Sequence, residues 1–270
     1  MFVRIKKIEH RFLGTFLINS FFKSIKLKKK NNLIQIGSES CNYILESKES
    51  IYNSTIISAG VGLDISFDIE MINRFGLKAI LVDPTPVSVE HYNKIIKASG
   101  ASKTKEYTLG ASREIEEYDL KNVTSKNLLL INKALYNKEK VVRFYLSPKK
   151  INPLNDNFSH SINNWQSFYN KKKPFIEVET IKISTIIKQF NILSLPVLKL
   201  DIEGAEHEVI DDMIKSNILP SQILVDLDEL GIITIHSYRK LLSTYNKLIK
   251  NNYDAIDTGD KRNFLFSRSE

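Results

Sequence analysis

The sequence predicts an α/β fold in which a central, mostly parallel β-sheet carries helices on both faces and has an antiparallel strand at one edge. Short apolar stretches of strand length alternate with stretches of helical periodicity, which is the pattern of layered α/β domains. The chain has 270 residues, of which 42% are hydrophobic. This composition is sufficient to bury one sizeable core.

The predicted strands and helices follow one another along the chain. "STIISAG" (54–60) is a buried strand, and apolar residues at helical spacing predict a helix that Gly76 ends. "LKAILVDPTP" (77–86) is a second strand, closed by prolines that cannot extend a central ladder. The other predicted elements are a helix at 87–99, a third strand at 105–112, a fourth strand and a helix within 196–216, a fifth strand at 222–230, a helix at 238–250, and an antiparallel strand pair at 253–259 and 262–268.

Residues 31–270 form the predicted main domain, which contains an insertion or lid at 125–173. This stretch is rich in Asn, Lys and aromatic residues, and only "VVRFYLS" (141–147) alternates like a strand. A loop of this length inside a compact domain is usually functional or disordered. We therefore expect the insertion to take part in binding.

Residues 1–30 form a predicted basic and aromatic arm. They carry nine Lys or Arg and one acid, whereas the rest of the chain has 30 basic and 30 acidic residues. The apolar run of the arm is shorter than the ~20 residues that a bilayer span needs. A helix with Phe12, Phe16 and Leu17 on one face would suit the surface of an anionic membrane. The alternative is a helix packed on the body with a solvated lysine tail.

The neutral body and the cysteine content narrow the class of protein. Nucleic-acid binding needs clustered Lys and Arg, so we expect no large nucleic-acid surface. Cys41 is the single cysteine, which excludes an intramolecular disulfide and a Cys-based zinc site. We expect a cytoplasmic protein, with peripheral contact to the inner face of the membrane through the arm.

Two glycines stand where the first strand turns into a helix, in "ISAGVGLDISFDIE" (57–70). Gly60 and Gly62 allow the backbone to approach a ligand closely, and the helix start presents free N–H groups. Asp83 ends the second strand at the interval expected for a carboxylate that binds a ribose. Thr85 follows it in the same turn. The pattern predicts a nucleotide-containing cofactor; the alternative is a tight turn and a helix cap.

Two cofactors suit this geometry, a dinucleotide and S-adenosylmethionine. A dinucleotide site favours a third glycine in G-x-G-x-x-G, where this chain has Ile65. Asp64 would repel a pyrophosphate but would suit a sulfonium and an α-amino group. The sequence therefore favours S-adenosylmethionine over NAD.

These motifs, together with "VDPTP" (82–86) and above all "LKLDIEGAEHEVI" (198–210), resemble the FkbM-type family of S-adenosylmethionine-dependent methyltransferases. The later motif of that family has the form K-x-D-x-E-G-x-E, which this chain matches at 199–206, and the resemblance runs from about Asn53 to Phe266. It implies a Rossmann-like class I methyltransferase fold.

The resemblance also implies roles for individual residues. Gly60, Gly62 and Asp83 would contact the cofactor, and Asp201 and Glu203 would face the cleft between cofactor and acceptor. Many methyltransferases have an acid two places before the first glycine, where this chain has Ser58. Asp64 is the substitute candidate for the methionine end of the cofactor.

Methyl transfer to a hydroxyl needs a base that takes the proton of the acceptor. Asp201, Glu203 and His207 are the candidates, and His160 in the insertion is another. In the alternative, carboxylates such as Asp201, Asp226 and Asp228 hold Mg²⁺, which lowers the pKa of the hydroxyl. We favour the mechanism without a metal.

The insertion also offers candidates for acceptor binding. Trp165 stands among aromatic and amide residues, and His160 precedes it; this combination suits the ring of a saccharide or a similar hydroxylated acceptor. The expected function is O-methyl transfer to such an acceptor. The alternatives are an NAD-dependent oxidoreductase and a non-enzymatic membrane or nucleic-acid adaptor that uses the basic arm.

Overall fold

A computed structural model describes residues 2–146, 160–162, 175–230 and 233–268 of the chain. The described helices are α1 (Phe2–Ser24), α2 (Ser66–Phe75), α3 (Pro86–Lys97), α4 (Ile183–Gln189), α5 (Glu206–Lys215) and α6 (Ile235–Lys250). The described strands are β1 (Leu27–Lys28), β2 (Leu33–Ile36), β3 (Tyr43–Glu46), β4 (Thr55–Ala59), β5 (Lys78–Val82), β6 (Leu128–Ile131), β7 (Ala134–Leu135), β8 (Val141–Leu146), β9 (His160–Ser161), β10 (Phe175–Ile181), β11 (Val197–Leu200), β12 (Gln222–Asp226), β13 (Tyr253–Ile256) and β14 (Asn263–Arg268).

The central sheet has eight described strands in the order β1-β13-β14-β12-β11-β4-β5-β6. Neighbouring strands are parallel except at β14, which is antiparallel to both β12 and β13. The predicted mostly parallel sheet and its antiparallel strand pair are confirmed. The short strand β1 lies outside β13, so it, and not the pair itself, forms that edge.

Helices cover both faces of the sheet because alternate side chains of each strand point to opposite faces. Ile57 and Ala59 of β4 belong to a core shared with α1, α4, α5 and α6. Ile56 belongs to a second core, shared with α2, α3 and the hairpin formed by β2 and β3. The predicted Rossmann-like fold class is confirmed, and the ends of its strands position the site described below.

The second half of α1 packs on the body of the protein. Leu17 and Phe21 are buried in the first core, whereas Phe16 is 67% exposed. The prediction that Phe16 and Leu17 share a face is wrong, because adjacent residues of a helix point about 100° apart and the body covers only one side. The side chain of Phe12 lies outside the described residues. The domain boundary at residue 30 and contact of the arm with a membrane stay predictions.

None of the described helices has the length and apolar character needed to cross a bilayer.

The predicted third strand at 105–112 is wrong. These residues form a loop, and the next strand of the central sheet after β5 is β6, which pairs with β5 in parallel. Tyr107 of the loop makes a tertiary contact instead of joining a ladder: its hydroxyl donates to Glu70 at 2.8 Å. Side-chain contacts of this kind override a local strand-like alternation.

A second sheet, of four described strands in the order β7-β10-β8-β9, is built from described residues of the predicted insertion and from β10, which follows it. The strand expected at 141–147 is confirmed as β8. Residues 128–131 of the predicted insertion belong to the central sheet as β6. The role of the remainder as a lid stays a prediction.

A buried arginine fixes the loop that replaces the predicted strand. The side chain of Arg113 has no exposed area, and it lies 2.6 Å from Asp64 and 3.2 Å from Glu117. It also donates to the carbonyl oxygens of Thr108 and Gly110. Burial by itself raises the pKa of Glu117, but hydrogen bonds from Thr108, Glu114 and Arg113 outweigh it and lower the pKa to about 2.

We expect Arg113→Met to destabilise the fold by about 3–5 kcal/mol, because it leaves Asp64 and Glu117 buried without their cation. Urea unfolding at pH 7 measures this loss. Arg74→Met is the matched control, since Arg74 is exposed and should change the free energy of unfolding by less than about 0.5 kcal/mol. Equal effects of the two substitutions would contradict the structural role of Arg113.

Candidate active site

A cleft opens at the carboxyl ends of β4, β5 and β11, where open α/β sheets bind ligands. The loop 60–64, the turn 83–85 and the segment 201–203 line it together, so the structure brings these three predicted regions to one place. The space that it encloses, including the open solvent at its mouth, is about 870 Å³. Three further parts of the chain line the cleft: the second sheet with the residue after it, the β2–β3 hairpin, and the loop 105–112. The lining residues are Ala134, Leu135, Phe144 and Ile162, then Ser40 and Cys41, and Ala111.

Gly60 allows two loops of this cleft to touch. Its φ is +75°, and a Cβ atom at this position would lie 1.7 Å from the carbonyl oxygen of Asp201. The amide of Gly60 donates to Val82, and that of Asp201 donates to Ala59. Only glycine permits this approach, so the first role of Gly60 is to let the end of β11 reach the cleft.

Asp83 holds the glycine loop in place. One oxygen of its carboxylate accepts hydrogen bonds from the amides of Val61 and Gly62, at 3.0 and 3.2 Å. The other accepts from the amide and the hydroxyl of Thr85, at 2.8 and 2.7 Å. A carboxylate offers about four lone-pair positions, and these four donors use them. Asp83 and Thr85 therefore organise the loop. The sequence predicted instead that the carboxylate of Asp83 is free to accept hydrogen bonds from a ribose.

Asp64 lines the cleft but is bound on its inner side. Its Oδ2 accepts from the hydroxyl of Ser38 and from Arg113, both at 2.6 Å, and its Oδ1 accepts from the amide of Ser66 at 3.0 Å. Oδ1 retains capacity for one further donor. Asp64 is thus placed where a cationic group in the cleft would meet it, although Arg113 offsets part of its charge.

Lys199 supports the cleft from below. Its ammonium donates to the carbonyl oxygen of Gly60 at 2.8 Å and is buried. Burial lowers the pKa of Lys199, but the nearby acids Asp201, Asp68 and Asp64 outweigh it and raise the pKa. Lys199 therefore stays charged, and it balances the acids around the loop.

The model of the Methyltransferase FkbM domain family matches residues 46–239. The chain belongs to the FkbM methyltransferase family. A search of curated proteins and a search of solved structures gave no significant match. Family membership indicates a methyltransferase, and the cleft lies within the part of the fold that the family covers.

Asp201 is one of two acids of the FkbM motif that line the cleft. Its Oδ2 accepts a hydrogen bond from the hydroxyl of Tyr43 at 3.0 Å. Glu203 also lines the cleft, with a φ of +57° that residues other than glycine seldom adopt. The side chain of Glu203 is hydrogen-bonded to Asp228.

Two acids behind the cleft retain protons near neutral pH. Burial raises the pKa of Asp228 to about 8, assisted by the charge of Glu203. Burial also raises the pKa of Asp226 to about 7, assisted by Asp201 and Asp228. Arg262 lies 3.2 Å from Asp228 and 3.7 Å from Asp226. No group of three or more His, Cys, Asp or Glu side chains in the described part of the chain has the arrangement of a metal site. Whether the reaction uses magnesium stays a prediction.

The structure does not bring every predicted residue to the cleft. His207 is 3% exposed on α5; its Nδ1 lies 2.7 Å from the hydroxyl of Thr244 and its Nε2 lies 3.1 Å from Glu229. Because both nitrogens face the protein interior and neither lines the cleft, the prediction of His207 as a base is corrected. Ser58 is fully buried within β4 and does not line the cleft either.

The structure does not describe the side chains of the two residues predicted to bind the acceptor. Trp165 lies outside the described residues. His160 is in β9, whose backbone pairs with β8, but its side chain lies outside the described residues. Ile162, two positions further on, lines the cleft.

Sequence reasoning missed the β2–β3 hairpin, which precedes the matched FkbM residues. Its loop brings Ser40 and Cys41 to the cleft, and Tyr43 begins its second strand. Burial raises the pKa of Cys41 to about 12, so it remains a thiol. The apolar pairs "LIQI" (33–36) and "YILE" (43–46), on either side of a polar turn, were the signal of a hairpin.

We expect Gly60→Ala to prevent folding or to abolish ligand binding at the cleft, because its Cβ would overlap the backbone of Asp201. Gly100→Ala is the matched control: Gly100 also has a positive φ, of +88°, but no atom lies within 4 Å of a Cβ there. The control should lose only about 1–2 kcal/mol, from backbone strain. Thermal unfolding compares them, and similar melting temperatures would contradict the close approach.

Asp226 should make stability depend on pH. Its pKa is about 7 in the folded protein and about 4 in the unfolded chain, so the folded state binds more protons and this contribution to stability falls as pH rises from about 4 to about 7. Asp226→Asn should therefore raise the melting temperature, relative to wild type, more at pH 8 than at pH 5. Asp211→Asn, which alters a surface pair with Lys247, should give the same difference at both pH values. A change in melting temperature for Asp226→Asn that is equal at pH 5 and pH 8 would contradict the raised pKa of Asp226.

Proposed function

We propose that this chain is an S-adenosylmethionine-dependent O-methyltransferase that acts on a hydroxyl of a saccharide or a similarly hydroxylated acceptor. The observation that carries the cofactor assignment is the charge of the cleft. Among the described residues, its charged lining consists of four carboxylates, Asp64, Asp83, Asp201 and Glu203, without a lysine or arginine side chain.

This lining distinguishes the two cofactors that suit the fold. S-adenosylmethionine carries a sulfonium and an ammonium group, which carboxylates attract, whereas NAD carries a pyrophosphate, which they repel. The third position of the glycine pattern agrees with this distinction, because Ile65 is 1% exposed and packs in the second core. No observation on the cleft favours a dinucleotide.

The charge and the apolar character of the residues that line the cleft fit the chemical groups of the cofactor. The carboxylate of Asp64 would hold its ammonium group, the carboxylate of Asp201 would face its sulfonium methyl, and the apolar wall from the second sheet would suit a flat base. When bound, S-adenosylmethionine supplies an electrophilic methyl group. The bend at Gly60 and Gly62 gives the cofactor access to the backbone, and Asp83 keeps that bend ordered.

We assign the base to Asp201. Tyr43 is the one described residue that donates to its side chain, and it uses Oδ2, so Oδ1 remains to take the proton of an acceptor hydroxyl. Glu203 is already hydrogen-bonded to Asp228, and its role is to orient the acceptor beside Asp201. Excluding water from this pair falls to the apolar residues of the second sheet, such as Phe144 and Ile162.

The acceptor class rests on the sequence of the insertion, where Trp165 and its amide neighbours suit a sugar ring. The lone Cys41 and the basic residues 1–30 support a cytoplasmic location beside the inner face of a membrane. Mass-spectrometric detection of one added methyl group on candidate glycans, with cofactor and with or without chelator, tests the acceptor and any need for a metal.

The cofactor assignment predicts that S-adenosylhomocysteine binds to the chain and that NAD does not. Calorimetry measures both. We expect Asp83→Ala to abolish binding of S-adenosylhomocysteine, because the amides of Val61 and Gly62 lose their acceptor and the loop loses its fixed shape. Unchanged affinity in this variant would contradict the role of Asp83, and binding of NAD alone would overturn the cofactor assignment.

The catalytic assignment predicts that Asp201→Asn keeps its fold and its affinity for S-adenosylhomocysteine but loses turnover by roughly 10²–10⁴-fold. The carboxamide retains an oxygen that can accept from Tyr43 but cannot take up a proton as a carboxylate does. Asp211→Asn, on the surface of α5, should keep full turnover. A variant at Asp201 with wild-type turnover would exclude this residue as the base.

A further inference from the structure

We propose that Tyr43 is a positioning residue that sets the orientation of the Asp201 carboxylate. The inference rests on the proposed function, since it concerns the base of the same reaction. Tyr43 lies before residue 46, where the matched family residues begin. The FkbM motif itself therefore does not supply this contact.

The contact joins a buried hydroxyl and a partly buried carboxylate from distant parts of the chain. Tyr43 is 3% exposed, and its hydroxyl lies 3.0 Å from Oδ2 of Asp201. Burial raises the pKa of Tyr43 well above its ordinary value, and the charge of Asp201 raises it further. Tyr43 thus keeps its proton and acts toward Asp201 as a donor.

The ring of Tyr43 is held on two sides. Phe67 packs against it edge to face, with ring centroids 5.5 Å apart. The ammonium of Lys199 lies 5.0 Å from its centroid, in the range of a cation–π contact. Lys199 and Asp201 are two residues apart at the end of β11, so they are directed to the same face of the sheet, the face on which the hairpin packs.

The hairpin that carries Tyr43 is anchored at both ends. Near its turn, the amide of Gly37 donates to Glu70 at 2.9 Å, and the amide of Ser38 donates to the hydroxyl of Ser66 at 2.8 Å. At the other end, the backbone of Glu46 exchanges two hydrogen bonds with the side chain of Gln222, at 2.7 and 2.9 Å. Tyr43 therefore approaches Asp201 from a fixed support, as a positioning residue requires.

The consequence is an asymmetric carboxylate. Tyr43 engages Oδ2, and no described residue donates a hydrogen bond to Oδ1. Since rotation of the carboxylate would break the bond to Tyr43, the same oxygen stays available to a ligand in the cleft. Preorganisation of this kind raises the rate of a reaction without tightening ground-state binding.

Tyr43→Phe tests the inference because it keeps the ring contacts and removes only the hydroxyl. The matched control is Tyr253→Phe, which removes an equally buried hydroxyl that donates to Pro220, far from the cleft. We expect Tyr43→Phe to lower kcat roughly 10-fold with KM for the acceptor and affinity for S-adenosylhomocysteine unchanged. The control should keep kcat. A kcat for Tyr43→Phe equal to that of the control would overturn the inference.

A binding measurement tests the same inference without an acceptor. Sinefungin resembles the cofactor but carries an amine in place of the sulfonium methyl, so its affinity relative to S-adenosylhomocysteine reports on a carboxylate placed beside that position. Tyr43→Phe should lower this ratio roughly 5–10-fold, and Tyr253→Phe should not. In an Asp201→Asn background, Tyr43→Phe should have no further effect, because it acts through Asp201.

The outcomes separate the two proposals. If wild type binds both ligands but methylates no hydroxylated acceptor, the proposed reaction fails, while the ratio still decides the role of Tyr43. If wild type methylates an acceptor and Tyr43→Phe leaves both the ratio and kcat at wild-type values, the inference about Tyr43 fails and the proposed function stands. A full effect of Tyr43→Phe that persists in the Asp201→Asn background would also overturn it.

Discussion

The site depends on the close approach of two backbone segments, Gly60 after β4 and Asp201 after β11. These strands are neighbours in the sheet, so their carboxyl ends meet, but the contact is possible only because position 60 has no Cβ. Lys199 then donates to the carbonyl oxygen of Gly60 from the adjacent strand. The glycine loop is thus held from below by β11, and from the side by the carboxylate of Asp83. Any ligand in the cleft contacts a loop whose shape the protein has already fixed.

Charge balance is the second constraint on the site. A buried ammonium is costly unless acids compensate it, and Lys199 is compensated by Asp64, Asp68 and Asp201, among others. Burial raises the pKa of Asp68 to about 6, while Arg113 pairs with Asp64 from the other side. The cations lie beneath or behind the acids, and the acids line the cleft. The protein therefore presents negative charge to a ligand without leaving isolated charges in its core, which is the arrangement that a cationic cofactor needs.

The sequence predicts those features that depend on local pattern. The alternation of strands and helices, the turn at Gly60 and Gly62, and the convergence of Asp83 and Asp201 follow from apolar periodicity and from parallel strands having their carboxyl ends at one edge. Prediction from the sequence fails where long-range contacts determine the local structure or the direction of a side chain. Residues 105–112 alternate like a strand but form a loop around Arg113, and no local signal marks that arginine. His207 looks like a base in sequence, yet the helical period turns it into the core beside Thr244.

The roles of Asp83 and Tyr43 show why motif residues alone do not define the chemistry of this cleft. Asp83 stands at the sequence position where a ribose-binding carboxylate is predicted, but its four hydrogen bonds stay within the protein. It therefore acts on a ligand through the loop that it orders. Tyr43 differs from Asp83 because no motif contains it. It reaches Asp201 because the β2–β3 hairpin is anchored at Ser66 and Gln222. Strand order brings the acids together, and contacts from outside the motifs determine which oxygen of Asp201 a ligand meets. In this fold, the packed hairpin therefore sets the orientation of the Asp201 carboxylate, whereas the strand order of the sheet sets the proximity of the acids to one another.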